Sequence, residues 1–415
     1  MTDGLSTATG QVPVGDETRS YPLSPPLTTG DPEAESPRPL TVAYEYEAVD
    51  TTVFDRPVTA GLDQWAQLLP PLAGQGLGAG GTPLLPAPEL ASWVGVENCF
   101  VKDESRNPTW SHKDRLVRVA TAAAVRENAA GIVAASTGNH GAAAAAHAAR
   151  LGLPCVVFTT ADTPAAMETF VRSYGAGVVR VGAHDQLVRL VDAVADRGFH
   201  PVTSRTDPHT GHPFGPEGYK PIAYELYTQL GRVPGAVAAP TAFAELLYGV
   251  WKGFRELRRL GVTDDAPRMV ACEPASQAAL TVARDRDEPV VRIDAGPSQA
   301  HSIGGAASTH RGYLTLAESD GLAVPVSEET IAAAQDRLAG IGLWQEFSAA
   351  AGIGGLRATD ATFDGPVVAL ACSSGFKDGT DWTAPQLAPD ADVDDAVALL
   401  DATYDIALGP LRDPA

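Results

Sequence analysis

Cationic side chains, cysteines and long apolar runs are what this 415-residue chain has least of. Lysine and arginine together number 30 against 51 aspartates and glutamates, a formal charge of −21. Nucleic acids and anionic membrane surfaces are gripped by clustered Lys and Arg, so this balance disfavours both as partners. No apolar run approaches the roughly 20 residues that cross a bilayer, and the N-terminus lacks a basic region followed by an apolar core. A cytoplasmic protein is the expectation. The four cysteines, Cys99, Cys155, Cys272 and Cys372, form no CxxC pair and no Cys/His ligand spacing. That excludes a disulfide framework or a zinc site as the organising device, and three of the four read as small core residues.

What remains is an ordinary globular composition, 44% hydrophobic and 20% charged, in a chain too long for one average core. Residues 1–40 hold seven of the 33 prolines and show no periodicity, which predicts a disordered or loosely draped tail. Thr41 to Tyr46 alternates like a strand, and Asp63 to Leu69 reads as a short helix stopped by Pro70-Pro71. Strand and helix patterns then alternate. Strands are expected at Asn98–Asp103, Ile132–Ala135, Cys155–Thr159 and Val178–Val181, and helices from Ser111 as cap to Arg126, then at Gly141–Leu151, Pro164–Tyr174 and Asp185–Asp196. Further on, Ala236–Pro240, Met269–Glu273 and Val367–Ala371 read as strands. Glu217–Leu230, Leu246–Leu260, Ser327–Ala339 and Ser348–Leu356 read as helices. Such βαβα order predicts parallel sheets covered by helices on both faces. Phe199–Gly218 interrupts it with His200, His209 and His212, whose irregular spacing predicts a surface loop rather than a metal cluster.

Three stretches carry chemistry. In Asn107-Pro108-Thr109-Trp110-Ser111-His112-Lys113-Asp114-Arg115, a lysine stands where a turn gives way to a helix. Alone it reads as a solvated charge at a helix start. Ser136-Thr137-Gly138-Asn139-His140-Gly141 follows a buried-strand pattern and opens an alanine-rich helix, presenting free N–H groups and a helix dipole suited to an anion. Leu370-Ala371-Cys372-Ser373-Ser374-Gly375 again ends a short apolar run in small polar residues.

Together these stretches resemble the fold-type-II pyridoxal-phosphate (PLP) enzymes of the tryptophan-synthase-beta superfamily, most closely the threonine synthases and their relatives. The resemblance covers about residues 40 to 380, with Gly80-Gly81-Thr82-Pro83-Leu84 as a register mark. It implies an α/β fold of two doubly wound parallel or mixed sheet domains with PLP in the cleft between them. The implied division is a large domain of 41–115 plus 206–390, a smaller mobile domain of 116–205, and a C-terminal segment of 391–415. A homodimer is implied as well.

By the same resemblance Lys113 forms the Schiff base with the cofactor and later moves a proton at the substrate α-carbon. That task requires a neutral amine, and lowering a lysine from about 10.4 toward about 7–8 takes roughly 4 kcal/mol, which burial and a helix N-terminus can supply. Asn139 is implied as the partner of the cofactor's phenolic oxygen, and Cys372, with Ser373 second, as the neutral partner of its pyridine nitrogen. A neutral partner leaves the ring a weaker electron sink, suited to elimination and replacement over transamination. The substrate is assigned to Ser111, Ser136, Thr137, Gly138, His140 and Ser204. The cofactor phosphate falls to Thr241, Ala242, Phe243 and Ala244, a loop without the family's glycines, followed by Glu245, which would disfavour a phosphate unless it points away. Threonine synthases also hold a substrate phosphate through an Arg whose position here is Gly215, leaving Arg205 as a possible substitute.

The implied function is elimination or replacement at the β or γ carbon of an amino acid. The alternatives are a serine/threonine dehydratase-type ammonia-lyase and a non-catalytic relative that has kept the fold.

Overall fold

The computed structural model describes residues 4–59, 61–161, 163–182, 186–378 and 383–406. In chain order, strands β1 (Ala8–Pro13), β2 (Tyr21–Pro22) and β3 (Leu40–Tyr44) precede β4 (Leu84–Pro86), helix α1 (Pro88–Val94) and β5 (Cys99–Asp103). Helix α2 (Lys113–Arg126) leads into β6 (Gly131–Ala135), α3 (Asn139–Leu151), β7 (Cys155–Thr160), α4 (Ala165–Ser173), β8 (Gly177–Val181), α5 (Gln186–Ala195) and β9 (Phe199–Pro201). Then come α6 (Lys220–Leu230), β10 (Ala236–Pro240), α7 (Glu245–Arg259), β11 (Arg268–Pro274), α8 (Ala279–Arg286), α9 (His310–Glu318) and β12 (Leu322–Val326). Helices α10 (Glu328–Gly340) and α11 (Phe347–Ala358), strand β13 (Val367–Ala371) and α12 (Val393–Tyr404) complete the order.

The larger sheet runs β12-β11-β10-β13-β5-β4, parallel except for β4. Its central strands are buried on both faces, and their alternation sorts side chains between two cores. Ala236, Ala238, Val367 and Ala369 face α1, α10 and α11, whereas Val237, Ala239, Val368 and Leu370 face the core shared with α2, α6 and α7. A second, all-parallel sheet runs β8-β7-β6-β9 and lies wholly within 131–201. Val133 and Phe158 pack there against Leu187 and Val191 of α5, while Ile132 and Val157 face the core of α3. The α/β class with two wound sheets is therefore present.

Two expectations fail. The proline-rich tail is neither disordered nor loosely draped: β1 pairs antiparallel with β2 and β3. Val12 and Val14 are buried, and the Gln11 side chain donates to Pro22 O and Pro25 O while accepting from Leu27 N. The predicted surface loop at 199–218 is instead interior. His200 and His212 are buried with Nε2 atoms 2.9 Å apart, and β9 adds to the small sheet. A parallel edge and a side-chain hydrogen bond stabilise these residues, neither of which local periodicity records.

Two compact units are resolved, residues 1–378 and 379–415. In the second, α12 starts with a capping box in which Asp392 and Asp395 each accept the other's backbone N–H at 3.0 Å. The expected start of α5 at Asp185 and the chain beyond 406 lie outside the described residues.

Candidate active site

Strands β5, β10 and β13 end side by side, so the segments after Asp103, Pro240 and Ala371 converge at one edge of the larger sheet. Ligands of wound parallel sheets bind beyond strand carboxyl ends. Lys113 opens α2 there. Ser111, expected to cap that helix, does not: its backbone pairs with Ser373 and its Oγ is buried without a partner. Asp114 takes over the turn, accepting from Thr109 N at 2.8 Å, from Thr109 Oγ1 at 2.9 Å and meeting His147 Nε2 at 3.1 Å.

Arg115 fixes the helix from below. Its guanidinium reaches Glu104 at 2.6 Å and Glu225 at 2.7 Å, and Lys102 meets Glu225 at 2.7 Å, all four side chains fully buried. Thr82 of the Gly-Gly-Thr-Pro turn joins this cluster, donating to Glu104 Oε1 at 2.6 Å and accepting from Arg115. The register mark thus has a mechanical role. Gly218 lets the next segment approach, since a Cβ there would lie 2.2 Å from Arg115 O.

Burial lowers the Lys113 amine below its usual range, against opposing contributions from Glu245 and Cys372. Burial and the Lys113 charge likewise depress His112, and bring His140 to about 3. Both imidazoles are neutral at pH 7. Four buried polar atoms in this region have no hydrogen-bond partner among the described residues: Ser111 Oγ two residues before the lysine, His140 Nε2 and Glu245 Oε1 within electrostatic reach of its amine, and Tyr219 OH, whose ring lies 5.5 Å from that of His112. Each such atom costs about 1–3 kcal/mol when left unsatisfied, so their concentration points to a polar ligand.

The loop before α3 is shaped by Ser136, whose Oγ accepts from Gly138 N at 3.1 Å and Gly141 N at 2.9 Å. Thr137 is exposed, Gly138 and His140 are half-buried, and no acceptor meets the N–H groups of Thr137, Asn139 or His140 among the described residues. Asn139 is held from the other side. Its Nδ2 donates to both Glu346 oxygens at 3.0 and 2.9 Å, and its Oδ1 accepts from Ser373 Oγ at 3.2 Å and from Lys377 Nζ. Burial pushes the Glu346 carboxyl up and lowers the Lys377 amine to about 8. Neither residue was found from the sequence reading of the site. Glu346 follows an unremarkable Trp-Gln pair, and Lys377 lies just beyond the Leu370–Gly375 stretch that the sequence singles out. Cys372 is buried, with Sγ 3.6 Å from Leu370 O, and burial raises its thiol well above the usual range, so it is neutral.

After β10 the loop Thr241–Ala244 carries Ala244 at φ +59°, a left-handed conformation that turns the chain into α7 without a glycine. Thr241 Oγ1 donates to Ala239 O at 2.8 Å, and the N–H groups of Ala242, Phe243 and Ala244 have no acceptor among the described residues. The Glu245 carboxylate lies 3.4 Å from His209 and 4.0 Å from Arg311, beside the α7 N-terminus. Ser204 is tied into the chain that follows it, accepting from Thr210 N at 3.1 Å and Gly211 N at 3.2 Å. Arg205 does not reach the site, since it is held by Asp192 at 2.6 Å and Asp196 at 3.5 Å. Gly215 packs on Leu116, 2.9 Å from where its Cβ would lie.

A desolvated amine, orphaned hydroxyl and imidazole groups, and a helix-terminal loop with free N–H groups fit an aldehyde cofactor bearing a phosphate. Comparison with known proteins agrees. The family described as "Pyridoxal-phosphate dependent enzyme" matches residues 76–373. A threonine synthase of Methanosarcina acetivorans is 31% identical over 77% of this chain and 80% of its own. One from Halalkalibacterium halodurans is 34% identical over 73% and 84%. The processed form of threonine deaminase isoform 2 from Solanum lycopersicum, 22% identical, superposes on 71% of this chain and 79% of its own with a TM-score of 0.61, a likeness of fold. With a family match spanning the sheet edge, the lysine helix and both loops, this chain belongs to the pyridoxal-phosphate dependent enzymes.

Proposed function

We propose that this protein catalyses elimination or replacement at the β or γ carbon of an amino acid, with Lys113 as the group that moves the α-proton. The observation that carries the reading is the Lys113 amine, buried and depressed at the start of α2, with atoms of His140 and Glu245 within its electrostatic reach that make no hydrogen bond. When bound, PLP supplies the electron sink that acidifies the substrate α-carbon. Lys113 would hold the cofactor covalently, and as the neutral amine would take the α-proton. The N–H groups of Thr137, Asn139 and His140 at the α3 N-terminus receive the substrate carboxylate. Asn139, clamped by Glu346, Ser373 and Lys377, would meet the cofactor ring, and Cys372 or Ser373 would offer a neutral group to its nitrogen. Thr241 to Ala244 receive the phosphate.

Between phosphorylated and unphosphorylated substrates, one observation favours the second. Arg205 is bound to Asp192 and Asp196, and Gly215 faces Leu116, so neither supplies a fork-like contact to a substrate phosphate. This supports the ammonia-lyase reading, in which a hydroxyl or similar group leaves and the product is hydrolysed. The threonine synthases among the relatives keep replacement on an activated amino acid as the competing assignment. A cytoplasmic homodimer belongs to the same proposal.

The test is turnover on a panel of amino acids and their O-phospho forms, following ammonia and phosphate release separately. Ammonia release from serine or threonine supports the lyase. Phosphate release from an O-phospho amino acid supports replacement, and no turnover on any member supports the non-catalytic reading.

A further inference from the structure

At the N-terminus of α7, next to the loop assigned to the cofactor phosphate, the protein places a buried carboxylate of its own. Glu245, the first residue of that helix, is buried with Oε1 unpartnered. Around it stand His209 Nε2 at 3.4 Å, Arg311 Nη1 at 4.0 Å, and the Lys113 amine within electrostatic reach. Burial opposes ionisation of Glu245, but His209, Arg311 and Lys113 outweigh it and hold the carboxyl far below its ordinary range. The charge is therefore present at neutral pH.

The surroundings are built for an anion and incompletely satisfied by this one. Arg311 is 1% exposed, donates to Thr210 O and to Leu40 O, and leaves Nε without a partner. His209 Nε2 has no hydrogen-bond partner among the described residues, and its ring lies flat on Phe243, centroids 4.2 Å apart at 9°. Gly211, at φ +65°, passes beneath the carboxylate so closely that a Cβ would meet Oε1 at 2.0 Å. A fixed anion that belonged there would complete the Arg311 and His209 hydrogen bonds. Glu245 reaches toward both and closes neither within hydrogen-bond geometry.

We propose that Glu245 is a displaceable stand-in for the cofactor phosphate: it faces Arg311 and His209 until a phosphate takes its place, and these two residues then become phosphate contacts. The proposal rests on the PLP reading above and deepens it. It assigns to a loop without glycines two side chains, Arg311 and His209, that stand in for a glycine-rich cradle. It also implies that cofactor uptake requires moving one carboxylate, which weakens affinity for the phosphorylated cofactor specifically.

The experiment compares PLP with pyridoxal, its unphosphorylated counterpart, by titrating each into wild-type protein, Glu245→Gln and His209→Gln and following the visible absorbance that accompanies condensation with Lys113. Removing the repelling charge while keeping its shape should tighten PLP by about tenfold more than pyridoxal, which gains only from the further lowering of the Lys113 amine. His209→Gln should weaken PLP by about fivefold, without effect on pyridoxal. Weaker PLP binding by Glu245→Gln, or equal changes for both ligands, overturns the assignment while leaving the cofactor reading intact. No absorbance with either ligand in the wild type would overturn both.

Discussion

Arg115→Met is the perturbation whose consequence can be worked most fully. The guanidinium is fully buried and contacts Glu104, Glu225 and Thr82. Without it, two buried carboxylates share one remaining cation, Lys102, which sits 2.7 Å from Glu225. Breaking a buried pair in this way costs about 3–5 kcal/mol, because the uncompensated charge is left in a low dielectric. Urea denaturation followed by circular dichroism should show that loss as a lower midpoint with little change in slope. Adding Glu104→Gln should recover part of it, since the second change removes the carboxylate left stranded while Lys102 stays paired with Glu225. Acid provides an independent check. Burial opposes ionisation of Glu225, but Arg115 and Lys102 bring its carboxyl from 4.5 down to about 2. A carboxyl depressed on folding stabilises above its unfolded value, and that stability is lost as pH falls from about 4.5 to about 2. The variant should lose less across this window than the wild type. A midpoint shift worth under about 1 kcal/mol, with acid sensitivity unchanged, would refute the claim that this cluster anchors the lysine helix.

The remaining predictions concern the site and its approach. Tyr219→Phe should leave the cofactor-free protein equally or more stable, by up to about 1–3 kcal/mol, because the OH is buried without a partner; thermal unfolding with and without PLP checks this. Asn139→Ala should lower kcat by about 10- to 100-fold with a smaller effect on cofactor retention, as a positioning group rather than the covalent anchor. Gly218→Ala should destabilise by several kcal/mol, on the order of 2–4, since its Cβ would overlap Arg115 O; soluble yield and melting temperature report it.

What could be read in the sequence was local. The buried strands Val367–Ala371 and Ala236–Pro240 announce themselves by continuous apolar runs, and Lys113 by its place between a turn and a helix. Pairings set by distant partners stayed hidden. The strand Ala8–Pro13 exists because residues 40–44 pair with it, and a proline-rich composition conceals that. The edge strand Leu322–Val326 was missed because Pro325 interrupts it, which an edge position tolerates. In the site, Asn139 was visible, whereas its clamp comes from Glu346 and Lys377, more than 200 residues away in sequence. Glu245 was noticed as a misfit for a phosphate, but only the fold shows His209 and Arg311 gathered around it.

The central claim is that Lys113 is the cofactor-bearing amine, and titration of PLP into wild-type protein and Lys113→Ala tests it most directly. The account predicts a visible absorbance band in the wild type that borohydride reduction fixes to the peptide containing Lys113, and no such band in a folded Lys113→Ala variant. A band of equal intensity in that variant, or reduction that labels Lys377 instead, would contradict it.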